Sequence, residues 1–245
     1  MRTSIVLAAL SPLLFGCVVH TDDHVVMGLR RYPHARSVEF TPSDAQVRRL
    51  VIRSDVGDVT LTGGAEANRI VVRVHERLPN AASVAFDGGV LVLDAAERDA
   101  LLGDVVIEVA GELVDVVLDS GAGEIALRTA AVSGRVELSS GSGDVRIEAL
   151  TEAHEVEVDA GAGNVWIEEC DARSLVVGTG AGDVSLRRVH ADAANLDSGL
   201  GDIVVEESVI GALVADTGLG DIDIVGGRID GAQYDTGLGS IETTP

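Results

Sequence analysis

The sequence predicts an all-β chain folded as a parallel β-solenoid (parallel β-helix), with 19–20 residues per rung. About seven regular rungs follow a set of irregular N-terminal ones. Three observations carry this prediction. A motif of the form G-x-G-(acid or polar)-(Val or Ile) recurs at nearly constant spacing. The residues around it fall into apolar and polar columns at period two. The composition supplies aliphatic filling and frequent turns, with 46% hydrophobic residues, 2% aromatics and 29 glycines in 245 residues.

The repeat is the strongest of the three. Gly121-Ala122-Gly123-Glu124-Ile125 is followed by copies starting at Gly141, Gly161, Gly180, Gly199, Gly218 and Gly237, spaced 20, 20, 19, 19, 19 and 19 residues apart. Two residues past the second glycine stand Ile125, Val145, Val165, Val184, Ile203, Ile222 and Ile241. Two further on stand Leu127, Ile147, Ile167, Leu186, Val205, Ile224 and Thr243. The residues between them are mostly polar, so this is a strand with one buried face. A second strand precedes each motif, with Val116, Val136, Val156, Leu175, Ala194, Leu213 and Ala232 as one inward column. Leu118, Leu138, Val158, Val177, Leu196, Ala215 and Tyr234 form the other. No rung can bury its own apolar residues, so rungs must stack at about 4.8 Å.

Residues 113–245 are this regular solenoid, and 38–112 read as irregular N-terminal rungs and a cap. In the irregular part, 54–61 is a degraded motif and 84–93, with Gly88-Gly89, reads as another. Residues 105–109 form an apolar strand expected to cover the first regular rung.

The N-terminus reads as an address. Arg2 precedes an apolar run over residues 5–15. A membrane-spanning helix needs about 20 residues, so this run suits a signal peptide instead. Leu14-Phe15-Gly16-Cys17 resembles a bacterial lipobox, which implies cleavage after residues 1–16 and a lipid on Cys17. Val18 follows where an Asp is absent, which points to the outer membrane in a Gram-negative cell. Residues 17–37 then read as a tether. The other cysteine, Cys170, aligns with Leu150 and Val189 and is expected to be a buried small hydrophobe. With Cys17 lipidated, no intrachain disulfide can form.

Charge narrows the partners. All 18 basic residues are arginines, against 40 acids. Residues 1–100 hold 11 arginines and 12 acids, whereas 101–245 hold 7 and 28, so the net charge of −21 belongs to the repeats. Such a surface repels a polyanion and disfavours nucleic acid.

Two acidic columns flank the glycine corner. Glu124, Asp144, Asn164, Asp183, Asp202, Asp221 and Ser240 follow it, and Asp119, Ser139, Asp159, Gly178, Asp197, Asp216 and Asp235 precede it. Stacked like charges cost on the order of 1 kcal/mol per pair in water and need compensation. One compensation is capping of backbone N–H groups in the same turn. The other is Ca²⁺ held between rungs by Asp144, Asp183, Asp202, Asp221, Asp197 and Asp216. Two further surfaces are candidates for binding. Trp166 should face outward beside Arg146 in a cation–π contact, and Leu200, Leu219 and Leu238 repeat at the corner, either as an exposed apolar ridge or, the preferred expectation, as corner packing. His154 and His190 have no partners at sequence spacings that suggest a triad or metal site.

These S/T-G-x-G-D-(V/I) rungs behind a lipobox resemble the bacterial "putative adhesin" domain family of unknown function, over roughly residues 38–244. The resemblance implies a parallel β-helix and supplies no catalytic residues. The expected function is a non-catalytic, lipid-anchored scaffold of the cell envelope, contacting an unknown envelope protein or glycan. A Ca²⁺-binding structural spacer is the alternative. A polysaccharide-active enzyme is a weaker one, because its groove-building loops are missing and the acidic face would repel a uronate.

Overall fold

Each rung has three sides where the column pattern indicated two. In the computed structural model, which describes residues 4–7, 17–20, 25–27, 30–95 and 99–244, the rungs stack as parallel strands in strict register. The first side stacks Val136, Val156, Leu175, Ala194, Leu213 and Ala232. The second stacks Ile125, Val145, Val165, Val184, Ile203, Ile222 and Ile241. All but the last residue of each of these two columns are buried.

The third side stacks Ala130, Leu150 and Cys170, and beside them Ala153, Ala172, Ala191 and Ile210. It closes the core as a triangular prism. Its residues are small and chemically mixed, and a register shift between Leu150 and Ala153 breaks the alternation that marks the other two sides. Cys170 lies inside this wall, and burial pushes its thiol up to about 12. It packs as a hydrophobe and does not ionise at neutral pH.

The turn between the second and third sides is a left-handed column. Thr129, Ala149, Glu169, Arg188 and Glu207 all have φ between +49° and +56°, and Gly226 completes the column at +64°. Residues with a Cβ pay for this conformation, by roughly 1 kcal/mol each. The stack holds them there because strand pairing on either side fixes both flanks.

The glycine corner obeys a harder constraint. At Gly201, φ is +149°, and an added Cβ would lie 2.1 Å from the carbonyl oxygen of Gly182 in the preceding rung. The rungs therefore approach backbone to backbone, closer than any side chain permits.

The N-terminal part upholds one expectation and corrects two. Residues 54–61 do form a rung: the strands Arg49–Ser54 and Val59–Gly63 stack in parallel on 115–120 and 125–128. Residues 84–93 do not. Ala82–Asp87 and Val90–Ala95 form an antiparallel hairpin whose turn, Gly88-Gly89, has φ of +55° and +87°. Two adjacent positive φ values make the tight two-residue turn that reverses a strand. The motif G-x-G separates its glycines and turns the chain onward instead. The strand Ala100–Val109 pairs in parallel with Val59–Gly63 and antiparallel with Arg69–Glu76, so it covers the degraded rung and not the first regular one.

Residues 34–37, assigned to the tether by sequence, are the start of the strand His34–Phe40, which pairs with Arg69–Glu76. Further upstream, Ser4–Leu7, Cys17–His20, Val25–Met27 and Arg30–Tyr32 form a small antiparallel sheet. It is docked by Val25 and Tyr32 on Val56 and Leu101. Residues 8–16, which hold most of the apolar run and Leu14-Phe15-Gly16 of the lipobox, lie outside the described residues, as does Pro245. No helix among the described residues is long and apolar enough to cross a membrane.

Phe40 and Phe86, with ring centroids 6.3 Å apart, close the head of the prism. Glu76 ties the head together. Burial pushes its carboxyl up, but the Arg36 guanidinium at 3.3 Å and the N–H groups of Ala82 and Asn80, at 3.0 and 3.1 Å, bring it below the usual range.

Gly201→Ala is expected to cost about 3 kcal/mol or more in denaturant unfolding, because neither the backbone nor the facing carbonyl can yield. Gly178→Ala, where an added Cβ meets nothing within 4 Å, should change stability by less than about 1 kcal/mol. At the left-handed turn, Ala149→Gly should stabilise by about 0.5 kcal/mol, the relieved strain exceeding the entropy lost on folding.

Candidate functional site

The glycine corner is where chain geometry, charge and exposed apolar surface meet. Two side-chain ladders run through it, one inside and one outside. The inner ladder is the Ser/Thr preceding each motif. Ser140, Thr179, Ser198, Thr217 and Thr236 donate their hydroxyls to the second-glycine carbonyls of the preceding rung (Gly123, Gly163, Gly182, Gly201 and Gly220) at 2.8–3.0 Å. These hydroxyls satisfy carbonyls that a sharp corner would otherwise bury unpaired. Ala160 interrupts the ladder.

The outer ladder is the acidic column. The N–H of Asn164 donates to Asp144 Oδ1 at 2.8 Å, and Asp183 N–H to Asn164 Oδ1 at 2.8 Å. Asp202 N–H donates to Asp183, Asp221 N–H to Asp202, and Ser240 N–H to Asp221, at 2.7–2.9 Å. Each carboxylate thus caps the next rung and not its own turn. The same residues' carbonyls accept from the rung before, as in Val165 N–H to Asp183 O at 2.9 Å. Stacked charges are tolerated because an N–H dipole lies between successive carboxylates. The Ser240 N–H and hydroxyl hold the Asp221 carboxyl below its ordinary value.

The candidate Ca²⁺ ligands fall in two separate columns. Asp144, Asp183, Asp202 and Asp221 belong to the capping ladder, while Asp197 and Asp216 lie directly over one another in the exposed column before the corner, with Asp235 above them. Each column contributes at most one carboxylate per rung. Among the described residues no group of three or more His, Cys, Asp or Glu side chains is arranged to hold a metal ion.

Between the two columns, at the tip of the corner, Leu200, Leu219 and Leu238 stack in register. They are 52%, 47% and 72% exposed, so they make an apolar ridge and not corner packing. The equivalent residues of earlier rungs are all small: Ala122 and Ser142 are buried, and Ala162 and Ala181 are exposed. The ridge is therefore confined to the C-terminal rungs and bordered there by aspartates on both sides.

Trp166 lies on the second side with the Arg146 guanidinium 5.1 Å from its ring centroid, a cation–π pair across adjacent rungs. Arginines on this and neighbouring faces bridge acids of other rungs, as in Arg128–Glu148 at 3.4 Å, Arg188–Glu169 at 3.0 Å and Arg135–Glu157. The net charge is thereby partly neutralised away from the corner, which leaves the corner as the acidic edge.

One grouping escaped the sequence. His154 and His190, with Glu152, Asp171, Arg173 and Asp192, line a shallow groove of about 290 Å³ on the third side. His190 Nδ1 is 3.8 Å from Asp171. Only the stacking of three rungs brings them together, and the third side was itself unseen.

A family model described as Toastrack DUF4097 matches residues 47–236. The fold is also similar to a solved structure from Bacteroides fragilis described as a putative adhesin, at 15% identity and a TM-score of 0.59, covering 86% of this chain and 97% of that one. Two structures from Parabacteroides distasonis, one described as a putative adhesin and one as a putative lipid binding protein, each match at 12% identity and a TM-score of 0.47. They cover 85% and 86% of this chain and 96% of their own. No curated protein matches the sequence.

Because the Asp221 carboxyl is held below its unfolded value, the stability it gives is present above about pH 4 and lost as pH falls through the lower folded value. Asp221→Ala should lower the melting temperature at pH 7, and its deficit against wild type should shrink on acidification. Asp221→Asn should retain most of the stability, since Asn164 already fills the same role in the ladder. Thermal melts of the three proteins from pH 7 to pH 3 read this out.

Proposed function

The chain belongs to the Toastrack DUF4097 family, and from that premise we propose that it is a non-catalytic, lipid-anchored scaffold of the cell envelope. In this reading the signal peptide exports it, the lipid on Cys17 holds it to the membrane, and the solenoid presents its acidic corner to another envelope component. The observation that carries the reading is the Leu200–Leu219–Leu238 ridge between two columns of aspartate. An exposed apolar row at about 4.8 Å spacing, rimmed by like charge, suits a partner with apolar anchors and basic flanks.

The carboxylates support a non-catalytic role. Those after the corner are spent on backbone N–H groups of the next rung, and their spacing is set by the stack. A glycoside hydrolase of the usual kind needs two carboxylates converging on one bond from different directions. The description of the Bacteroides fragilis relative as an adhesin agrees with a contact role. Trp166 and Arg146, on a different face, offer a secondary contact of the kind that recognises a sugar ring or a peptide.

Affinity capture from native envelopes tests the reading. Wild-type protein should recover a partner that Leu200→Asp/Leu219→Asp loses and that elevated salt weakens, while Cys17→Ser should abolish labelling by radioactive palmitate. Equal recovery by wild type and the leucine variant would contradict the ridge as the contact surface. Palmitate labelling that survives Cys17→Ser would contradict the anchor.

A further inference from the structure

The two ends of the prism are unlike, and their differences are complementary. One wall of the stack begins with Ala82–Asp87, continues through Val90–Ala95 and Arg49–Ser54, and finishes with Arg228–Leu238. The next wall begins with His34–Phe40, continues through Arg69–Glu76 and Ala100–Val109, and finishes with Ile241–Thr244. Among the described residues, each of these four terminal strands is paired on one side only, with Val90–Ala95, Arg69–Glu76, Val209–Leu219 and Ile222–Val225 respectively for Ala82–Asp87, His34–Phe40, Arg228–Leu238 and Ile241–Thr244. Inward-facing residues also lose their cover at the ends. Ile241 is 44% exposed, whereas Ile222 one rung below is fully buried. Ile229 and Tyr234 at the tail, and Phe40 and Phe86 at the head, are only partly buried.

The charges of the ends are opposite. Residues 30–48 and 69–87 at the head hold seven arginines and four acids, a net of +3. Residues 209–244 at the tail hold one arginine and six acids, a net of −5. Two tails or two heads repel, and a head attracts a tail.

We propose that this surface is an interface between copies of the chain: the tail strands of one copy pair with the head strands of the next, so that both walls continue across the junction. Arg228–Leu238 meets Ala82–Asp87, and Ile241–Thr244 meets His34–Phe40. The contact is heterologous, so it has no built-in end and generates a linear rod of rods. The open backbone edges supply the pairing, and the uncovered Ile229, Tyr234 and Ile241 close against Phe40 and Phe86.

Sedimentation velocity of the full chain in detergent, over a range of concentrations, tests this. The expected result is a series of oligomers of increasing length. Raising NaCl from about 50 mM to about 500 mM should shift the half-association concentration upward about tenfold or more. Val84→Glu, which places an acid at the head edge, and Ile241→Lys, which places a base over the tail core, should each be monomeric. Their mixture should give a one-to-one dimer and nothing larger, because it holds one intact head and one intact tail. Circular dichroism confirms folding of each variant, and the exposed-site variants Ser83→Glu and Thr243→Lys replace any that fail. The proposal is overturned if wild type stays monomeric at low salt. It is equally overturned if Val84→Glu alone still dimerises, which indicates tail-to-tail pairing, or if Ile241→Lys alone does, which indicates head-to-head pairing.

Discussion

The rest of this structure depends on one close approach, the stacking of backbone on backbone at the glycine corner. With the carbonyl of one glycine 2.1 Å from where the next rung's Cβ would be, the column admits no side chain. Once that column is fixed, the register of every strand on either side is fixed with it. The buried hydroxyls of Ser140, Thr179, Ser198 and Thr217 then satisfy the corner carbonyls, and the acids satisfy the N–H groups. The acidity of the repeats is thus a consequence of the turn chemistry before it is anything functional.

Much of this was legible in the residues themselves. The apolar columns of two strands, the outward Trp166 with Arg146 and the buried Cys170 follow from period-two alternation at a fixed repeat, and the structure places each where the pattern puts it; the corner leucines, expected to pack, stand exposed instead. The third side was not legible, because Ala130, Leu150, Cys170, Ala153 and Ala172 are too mixed, and too interrupted by a bulge, to show a period. Nor was the left-handed turn, since Thr129, Ala149, Glu169 and Arg188 carry no shared chemistry; the stack imposes their conformation. The destination of the acidic side chains was misread by one rung. Capping within a turn is a local rule, whereas these carboxylates act between segments 19 or 20 residues apart. The hairpin at 82–95 was mistaken for a rung because Gly-Gly and G-x-G look alike until their φ values are known.

A prism built this way has few places for function. Its interior is solid aliphatic packing, its loops are minimal, and its arginines are engaged with acids along the flat faces. Besides the histidine groove of the third side and the Trp166–Arg146 pair, what is left over is the corner, where Leu200, Leu219 and Leu238 rise between acidic columns, and the two ends, where strand edges lack neighbours among the described residues. Both are the surfaces on which the proposed contacts rest. Both also arise from the same cause, since a stack in strict register repeats any exposed residue as a row and can satisfy its edges only with another stack.

Hydrogen exchange at the corner amides measures the central claim most directly. The N–H groups of Asp183, Asp202 and Asp221 belong to exposed residues, yet each is bound by a side chain of the rung before: the Asn164 amide oxygen for the first, the Asp183 and Asp202 carboxylates for the other two. They should exchange as slowly as the core neighbours Val184, Ile203 and Ile222, in one cooperative unit. Fast exchange at these three positions, with the neighbours still protected, would contradict a register locked through the corner.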